Sequence, residues 1–158
     1  MVIGFFDPSE ENGYLSSWYP SHFTFSGKDF SLMGQYMMYR KAMCFRDTET
    51  ASRIMKTRDI DEIKRLGRLV SDYDDRVWSG VRQIAAYEGA LKKFSQNGKL
   101  KEKLLATGNA VLAECSETDK IWGIGLSVTD PDRCDPDKWT GSNLLGFTLM
   151  MVRRKLRE

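Results

Sequence analysis

Histidine, cysteine and proline are scarce in this chain. Its 158 residues include one histidine, three cysteines and four prolines. A structural zinc site needs about four His or Cys ligands at short spacings, and Cys44, Cys115 and Cys134 form no CxxC pair. The sequence therefore predicts no metal centre and no resident cofactor. It also predicts reduced thiols, which are typical of an intracellular, cytoplasmic protein.

A strong charge of one sign and a long apolar run are also missing. The 24 basic and 22 acidic side chains leave a formal charge of +2, well short of the basic excess of most nucleic-acid-binding domains. No run approaches the roughly 18 apolar residues of a membrane span, and no secretory leader pattern opens the chain. We therefore expect one domain, residues 1–158, that is neither secreted nor membrane-spanning. The sequence leaves its oligomeric state open.

The stretch 30–45 is the most informative segment and predicts an amphipathic helix. Its apolar stripe has spacings of four, three and four residues and consists of Leu32, Tyr36, Tyr39 and Met43. We place Ser31 at the N-cap and Gly34 at N3, where a helical glycine costs about 1 kcal/mol relative to alanine. Lys41 lies two turns beyond Gly34, near the same face. Spacing alone favours a surface cation for Lys41 over a reactive amine.

Four helical segments are predicted after this helix. Asp47 caps one that runs to about Lys56, and Asp59 caps another that Gly67-Arg68 interrupts. Asp74 or Asp75 opens the longest, which runs to about Gln96, and residues 100–106 form a short one. The core candidates of the longest segment are Val77, Trp78, Val81, Ile84, Leu91 and Phe94.

Strand patterns are few and short. Residues 2–6 and 110–115 are predicted strands, and residues 22–30 are a predicted hairpin. Residues 126–139 carry four aspartates and two prolines, which indicates a solvated insertion. Residues 140–143 then cap a last helix, 144–156. The predicted fold is mainly α, of the α+β class, with a small β element.

Two short segments combine residue types that suit a ligand site. Asp119, Trp122, Gly123 and Gly125 place a carboxylate, an indole and unhindered backbone within seven residues. A simple turn accounts for the glycines equally well. The aromatic segment 14–20 could close over a core edge or form a wall for a flat base.

Several stretches together resemble the NADAR (YbiA-like) superfamily, which is named for NAD and ADP-ribose. They follow the family order and cover nearly the whole chain: GYLSSWYP, GQYMMYRKA, KRLGRLV, KKFSQNGKLKEKLLATGNAVLAECSETDKIWGIG and WTGSNLLGFTLMMVRRKL. The resemblance implies a single multihelical YbiA-like domain that hydrolyses N-glycosidic bonds to ribose. Some members are linked to removal of ADP-ribose from guanine, and others to phosphoribosylamino-pyrimidine intermediates of riboflavin synthesis.

The resemblance also implies roles for particular residues. Lys41 would attack the anomeric carbon of ribose and hold it as a Schiff base, and Asp119 would lie near the sugar. The implied ligand-binding set is Tyr14, Ser17, Trp18, Tyr36, Arg40, Trp122, Gly123, Gly125 and Asn143. The expected partner is ADP-ribose, or ADP-ribosylated guanine in a nucleotide or nucleic acid.

One departure from the family pattern bears on activity. Gly34 occupies the position of the family glutamate, which would be the natural general acid/base. Ser17 stands where the family commonly has asparagine. The resemblance is therefore compatible with a naturally inactive member or with a substituted variant that traps a ligand, and the latter is favoured because glycine has no evident structural merit at N3. The alternative functions are a glycosidase of riboflavin intermediates and a non-catalytic ADP-ribose-binding module.

Overall fold

The computed structural model describes residues Met1–Glu158, which form two compact units. The terminal unit comprises Met1–Tyr19 and Asn97–Glu158, and the central unit comprises Pro20–Gln96. None of the helices combines the length and apolar character needed to cross a membrane.

The helices and strands confirm the predicted fold class, mainly helical α+β with small sheets. In chain order they are β1 Val2–Phe5, β2 Phe23–Phe25, β3 Lys28–Phe30, α1 Met33–Cys44, α2 Thr48–Met55, α3 Ile60–Arg68, α4 Asp75–Ser79, α5 Arg82–Gln96, α6 Gly98–Ala106, β4 Val111–Glu114 and α7 Leu144–Leu156.

The terminal unit is built around a two-stranded parallel sheet. β1 pairs with β4 so that Val2 lies opposite Val111 and Phe5 opposite Glu114. Helix α7 packs on β4, and Gly146 makes this close approach possible because a Cβ at this position would collide with the carbonyl oxygen of Leu112. The sheet is therefore covered by a helix, as parallel strands require.

The prediction of a solvated insertion at 126–139 is wrong in part. Its half-buried apolar residues pack against the buried cluster of Ala113, Cys115 and Ile124; they are Leu126, Val128 and Trp139. The acidic residues do remain at the surface of short turns. Asp130, for example, accepts a hydrogen bond from the backbone N–H of Asp132 at 2.8 Å. Apolar side chains spaced among aspartates thus anchor a segment that its composition marks as polar.

The central unit begins with the predicted hairpin. β2 and β3 are antiparallel, with Phe23 opposite Phe30, and the turn uses positive φ angles at Ser26 and Gly27. Tyr36 on α1 packs edge-on to Phe30, with the ring centroids 5.1 Å apart. This aromatic contact joins the hairpin to the first turn of the helix.

Helix α1 begins later than the sequence predicted. Leu32 is its N-cap, in an extended conformation, so Ser31 precedes the cap and Gly34 is at N2 rather than N3. The hydroxyl and N–H of Ser31 instead donate to Oε1 of Gln35, at 3.1 and 2.8 Å. Met43 is 39% exposed, so the predicted stripe is wrong at its last position.

The predicted caps at Asp47 and Asp59 are confirmed, whereas the predicted interruption of the second helix is wrong. Asp47 accepts from the N–H of Thr50 at 3.0 Å, and Asp59 accepts from the N–H of Glu62 at 3.1 Å. Helix α3 continues through Gly67 to its last residue, Arg68. The glycine is needed for close packing, because a Cβ there would overlap the side chain of Met38.

The longest predicted helix is in fact two helices. α4 ends at Ser79, its C-cap Gly80 donates its N–H to the carbonyl of Val77, and α5 starts at Arg82. Trp78 is buried as predicted, but Val77 and Ile84 are 48% and 55% exposed. The buried face of α5 uses small residues instead, namely Ala85, Ala86, Gly89 and Ala90.

Gln35 makes the central polar contact of this unit. Its Nε2 donates to the carbonyl oxygens of Ile54 and Thr57, both at 3.0 Å, while its Oε1 accepts from Ser31. The side chain is only 2% exposed. Every polar atom of this buried amide is therefore satisfied, as buried polar groups require.

Replacing Gln35 by leucine should lower the free energy of unfolding by about 2 to 4 kcal/mol, because buried carbonyl and N–H groups lose their partners. Urea unfolding measures the change. Gln83→Leu on α5 is the control, since the Gln83 amide makes no such contacts and should change stability little. Equal effects of the two variants would contradict the role given to Gln35.

Candidate functional site

The predicted site residues occur in both units. The central unit contributes four, all on α1: Gly34, Tyr36, Arg40 and Lys41. The terminal unit contributes the other eight: Tyr14, Ser17, Trp18, Asp119, Trp122, Gly123, Gly125 and Asn143.

Lys41 lies in the last turn of α1 and is half-buried. Its Nζ lies over the ring of Tyr73, 4.5 Å from the ring centroid. Burial lowers the pKa of Lys41, and the positive charges of Arg68 and Arg82 lower it further, against the opposing effect of Asp75. The surroundings therefore favour the uncharged, nucleophilic amine.

A hydrogen-bonded group flanks this amine. The Tyr73 hydroxyl donates to Oδ1 of Asp75 at 2.7 Å, and Nη2 of Arg82 donates to the same oxygen at 3.3 Å. Arg82 is 7% exposed, whereas Tyr73 is 42% exposed. Sequence patterns did not predict this group, because Asp75 was expected only as an alternative start of the longest predicted helix.

A second lysine shows why accessibility matters. Burial lowers the pKa of Lys93 to about 7, with Nζ lying 4.9 Å from the ring centroid of Phe94. Lys93 has no exposed surface, whereas Lys41 is only half-buried. Of the two amines, Lys41 is the one that a substrate can reach.

Tyr36 and Arg40 form a polar cluster with Glu88. The Tyr36 hydroxyl donates to Oε2 of Glu88 at 2.7 Å, and Arg40 donates to the Tyr36 hydroxyl at 2.8 Å and pairs with Glu88. Burial, together with the bond to Glu88, raises the pKa of Tyr36 to about 12. The hydroxyl therefore stays protonated, and the cluster fixes the middle of α1.

Gly34 and Lys41 share one face of α1. Seven residues correspond to about two turns, or roughly 10 Å along the axis, with only about 20° of rotation between them. Gly34 is buried in the first turn. A long side chain at this position would point along the face that carries Lys41, and glycine leaves that face without a carboxylate.

Asp119 organises its own turn in the terminal unit. Its Oδ1 accepts from the N–H groups of Ile121 and Trp122, at 3.0 and 2.9 Å. Its N–H donates to Oγ of Ser116 at 3.1 Å. The other carboxylate oxygen, Oδ2, accepts no hydrogen bond from the protein, so it remains available for a ligand hydroxyl.

The segment that carries Trp122 is held by backbone hydrogen bonds to the start of α7. Asn143 N–H donates to the carbonyl of Gly123 at 2.9 Å, and Leu145 N–H donates to that of Trp122 at 3.1 Å. A Cβ at Gly123 would lie 2.8 Å from the carbonyl oxygen of Asp119, and Gly125 has a φ of +79°. Close packing therefore accounts for Gly123, and the left-handed backbone conformation accounts for Gly125.

Asn143 is completely buried and joins α7 to β4. Its Nδ2 donates to the carbonyl of Leu112 at 2.8 Å, and its Oδ1 accepts from the N–H of Glu114 at 3.1 Å. Its backbone is left-handed, with φ 49° and ψ 40°, and its side chain does not cap the helix. The asparagine thus positions the end of the strand that leads into the Asp119 turn.

The aromatic segment 14–20 is mostly buried. Tyr14 is 6% exposed, its hydroxyl donates to the carbonyl of Lys103 at 3.2 Å, and Nζ of Lys103 lies 5.3 Å from its ring centroid. Ser17 is 7% exposed, whereas Trp18 is half-buried. Trp18 therefore offers more surface to a flat ligand than Tyr14 does.

The charges around Lys41 should shift its pKa in opposite directions when they are removed. Arg82→Gln should raise the pKa of Lys41 because it deletes a nearby cation, and Asp75→Asn should lower it because it deletes an anion. NMR titration of the Lys41 Cε resonance, assigned with Lys41→Arg, measures both shifts.

Arg68→Gln should raise the same pKa and provides an exposed alternative to the buried Arg82. The control is Arg76→Gln, whose side chain is 91% exposed and paired with Asp74. Shifts of the same sign in the Asp75 and Arg82 variants would contradict this electrostatic assignment.

Comparisons with known proteins agree on one family. The model of the NADAR domain matches residues 4–157. The N-glycosidase R617 of Acanthamoeba polyphaga mimivirus is 39% identical over 149 residues, covering 91% of this chain and 88% of that protein. A riboflavin biosynthesis protein of Vibrio vulnificus is 31% identical across 99% of this chain, which spans only 39% of that relative.

A solved structure shows the same fold. The NMR structure of the Escherichia coli protein YbiA superposes with a TM-score of 0.81 and 27% identity, over 99% of this chain and 84% of that one. Proteins named N-glycosidase therefore occur among both the sequence relatives and the structural neighbours. The chain belongs to the NADAR domain family.

Proposed function

We propose that this protein hydrolyses the N-glycosidic bond between ribose and a base, and that it removes ADP-ribose from guanine in a nucleotide or nucleic acid. The observation that carries the proposal is the accessible Lys41 amine, whose pKa is lowered by burial and by two arginines. Relatives that bear the name N-glycosidase support the same reaction class.

The proposed chemistry starts from the uncharged Lys41 amine. Its lone pair attacks the anomeric carbon of ribose, and the base leaves with the electrons of the carbon–nitrogen bond and takes up a proton. The sugar ring opens, so that the lysine nitrogen and the anomeric carbon form a Schiff base. Water then adds to this carbon, which releases the sugar and restores the amine. The net reaction consumes one water molecule.

Proton transfer is the step of the proposed reaction for which α1 supplies no carboxylate. The departing base needs a proton, and the attacking water must lose one. Gly34 brings no carboxylate to the face of α1 that carries Lys41. We therefore expect this chain to turn over slowly, and its covalent intermediate to persist longer than in an enzyme that has glutamate at this position.

The remaining residues have binding or supporting roles in the proposal. Within the terminal unit, Oδ2 of Asp119 is suited to accept a hydrogen bond from a ligand hydroxyl, and Trp122 and Trp18 are suited to contact a flat ring. Tyr14, Tyr36, Arg40 and Asn143 make their polar contacts within the protein, so we assign each of them to holding its own segment in place. Ser17, Gly123 and Gly125 would contribute through the close packing of their segments.

A second candidate is hydrolysis of a ribosylamino-pyrimidine phosphate. The name of the Vibrio relative favours it, although the chain matches only part of that protein. The two activities differ in the base released and in the phosphate attached to the sugar. Release of the pyrimidine without release of guanine would select this second candidate. Binding of ADP-ribose without any base release would select a non-catalytic module.

Borohydride reduction should trap a covalent adduct between this protein and ADP-ribosylated guanosine, because it reduces a Schiff base to a stable amine. Mass spectrometry should find the added sugar on Lys41, and Lys41→Ala should abolish it. Lys99→Ala, at an exposed position on α6, is the control and should leave the adduct intact. An adduct that survives in Lys41→Ala would refute the Schiff-base assignment.

A further inference from the structure

The central unit contains a groove that is distinct from the surroundings of Lys41. Its volume is about 910 Å³, within the range of pockets that hold small ligands. Met55 and Ile60 line it with apolar surface, and Ser31 and Gln35 form the side next to the first turn of α1. Lys41 lies in the last turn of this helix, about 9 Å farther along its axis than Gln35.

Three charged side chains and one histidine line the groove, and two of the charged side chains have no ionic partner. His22 and Asp29 pair with each other, with Nε2 and Oδ1 3.0 Å apart. Lys56 and Arg58 are exposed and form no ion pair with any carboxylate of the protein. Two cations close together in sequence therefore line an open groove whose one lining carboxylate, that of Asp29, contacts His22 and pairs with neither of them.

The backbone that carries these cations is held in place. Nε2 of Gln35 donates to the carbonyl oxygens of Ile54 and Thr57, on either side of Lys56. Oγ1 of Thr57 accepts from the N–H of Asp59, at 3.1 Å. The connection between α2 and α3 is thus ordered before any ligand arrives, which reduces the entropy lost on binding.

We propose that this groove binds a nucleoside phosphate. Lys56 and Arg58 would hold the phosphate, because a guanidinium and an ammonium together match its charge and its acceptor oxygens. The base would lie against Met55 and Ile60, with the hydroxyl of Ser31 at its edge. The same chemistry recognises a free nucleotide or one nucleotide of a single strand. Neither case involves Lys41, so the groove is a second site.

Titration calorimetry with 5′-GMP at low salt tests the proposal. The double variant Lys56→Gln/Arg58→Gln should weaken groove binding about tenfold or more, because two charge-assisted contacts are lost. The control Lys99→Gln/Arg154→Gln removes the same charges from exposed positions on α6 and α7 and should bind like the unmodified protein. Affinity should also fall more steeply with salt in the unmodified protein than in the groove variant.

Any 5′-GMP bound elsewhere would persist in both double variants, so only the difference between them reports on the groove. Equal binding by the two variants, or no binding by the unmodified protein, would overturn the proposal. A parallel titration with an eight-nucleotide thymidylate strand identifies the source. Tighter binding of the strand, lost in the groove variant, indicates a nucleic-acid segment, and weaker binding indicates a free nucleotide. Turnover is not required, so the result is independent of the proposed glycosidase activity.

Discussion

The buried amide of Gln35 joins three segments of the central unit and fixes the position of α1. It accepts from Ser31 at the end of the hairpin and donates to the carbonyls of Ile54 and Thr57 at the end of α2. Apolar packing tolerates small shifts along a helix axis, whereas these directional bonds do not. The placement of Lys41 at one end of α1 and the shape of the groove at the other therefore depend on the same side chain.

Lys41 combines two properties that oppose each other in most lysines. An amine must lose its proton to be nucleophilic, which burial favours, yet it must remain accessible to a substrate. Burial lowers the pKa of Lys93 to about 7, but this side chain has no exposed surface. At Lys41 partial burial acts together with the charges of Arg68 and Arg82, so the pKa is lowered while the amine stays reachable. This arrangement supports the proposed covalent mechanism.

Features that depend on nearby residues were predicted correctly from the sequence, whereas contacts between residues far apart in the sequence were not. The caps at Asp47 and Asp59 were correct because a cap depends on residues three positions away. The buried face of α5 was missed because its small residues, such as Gly89, give no apolar periodicity and are selected by what packs on them. The family resemblance pointed to Lys41, but Arg82 is far from it in sequence, and no local pattern predicts that they interact.

Gly34 gives the most direct test of the proposed reaction. The measurement is the rate of base release from ADP-ribosylated guanosine by this chain and by its Gly34→Glu variant. We expect slow release by the unmodified chain and a gain of about 10² to 10⁴-fold in the variant, the usual contribution of a general acid/base. No release by either protein, with ADP-ribose bound by both, would contradict the glycosidase proposal and indicate a binding module.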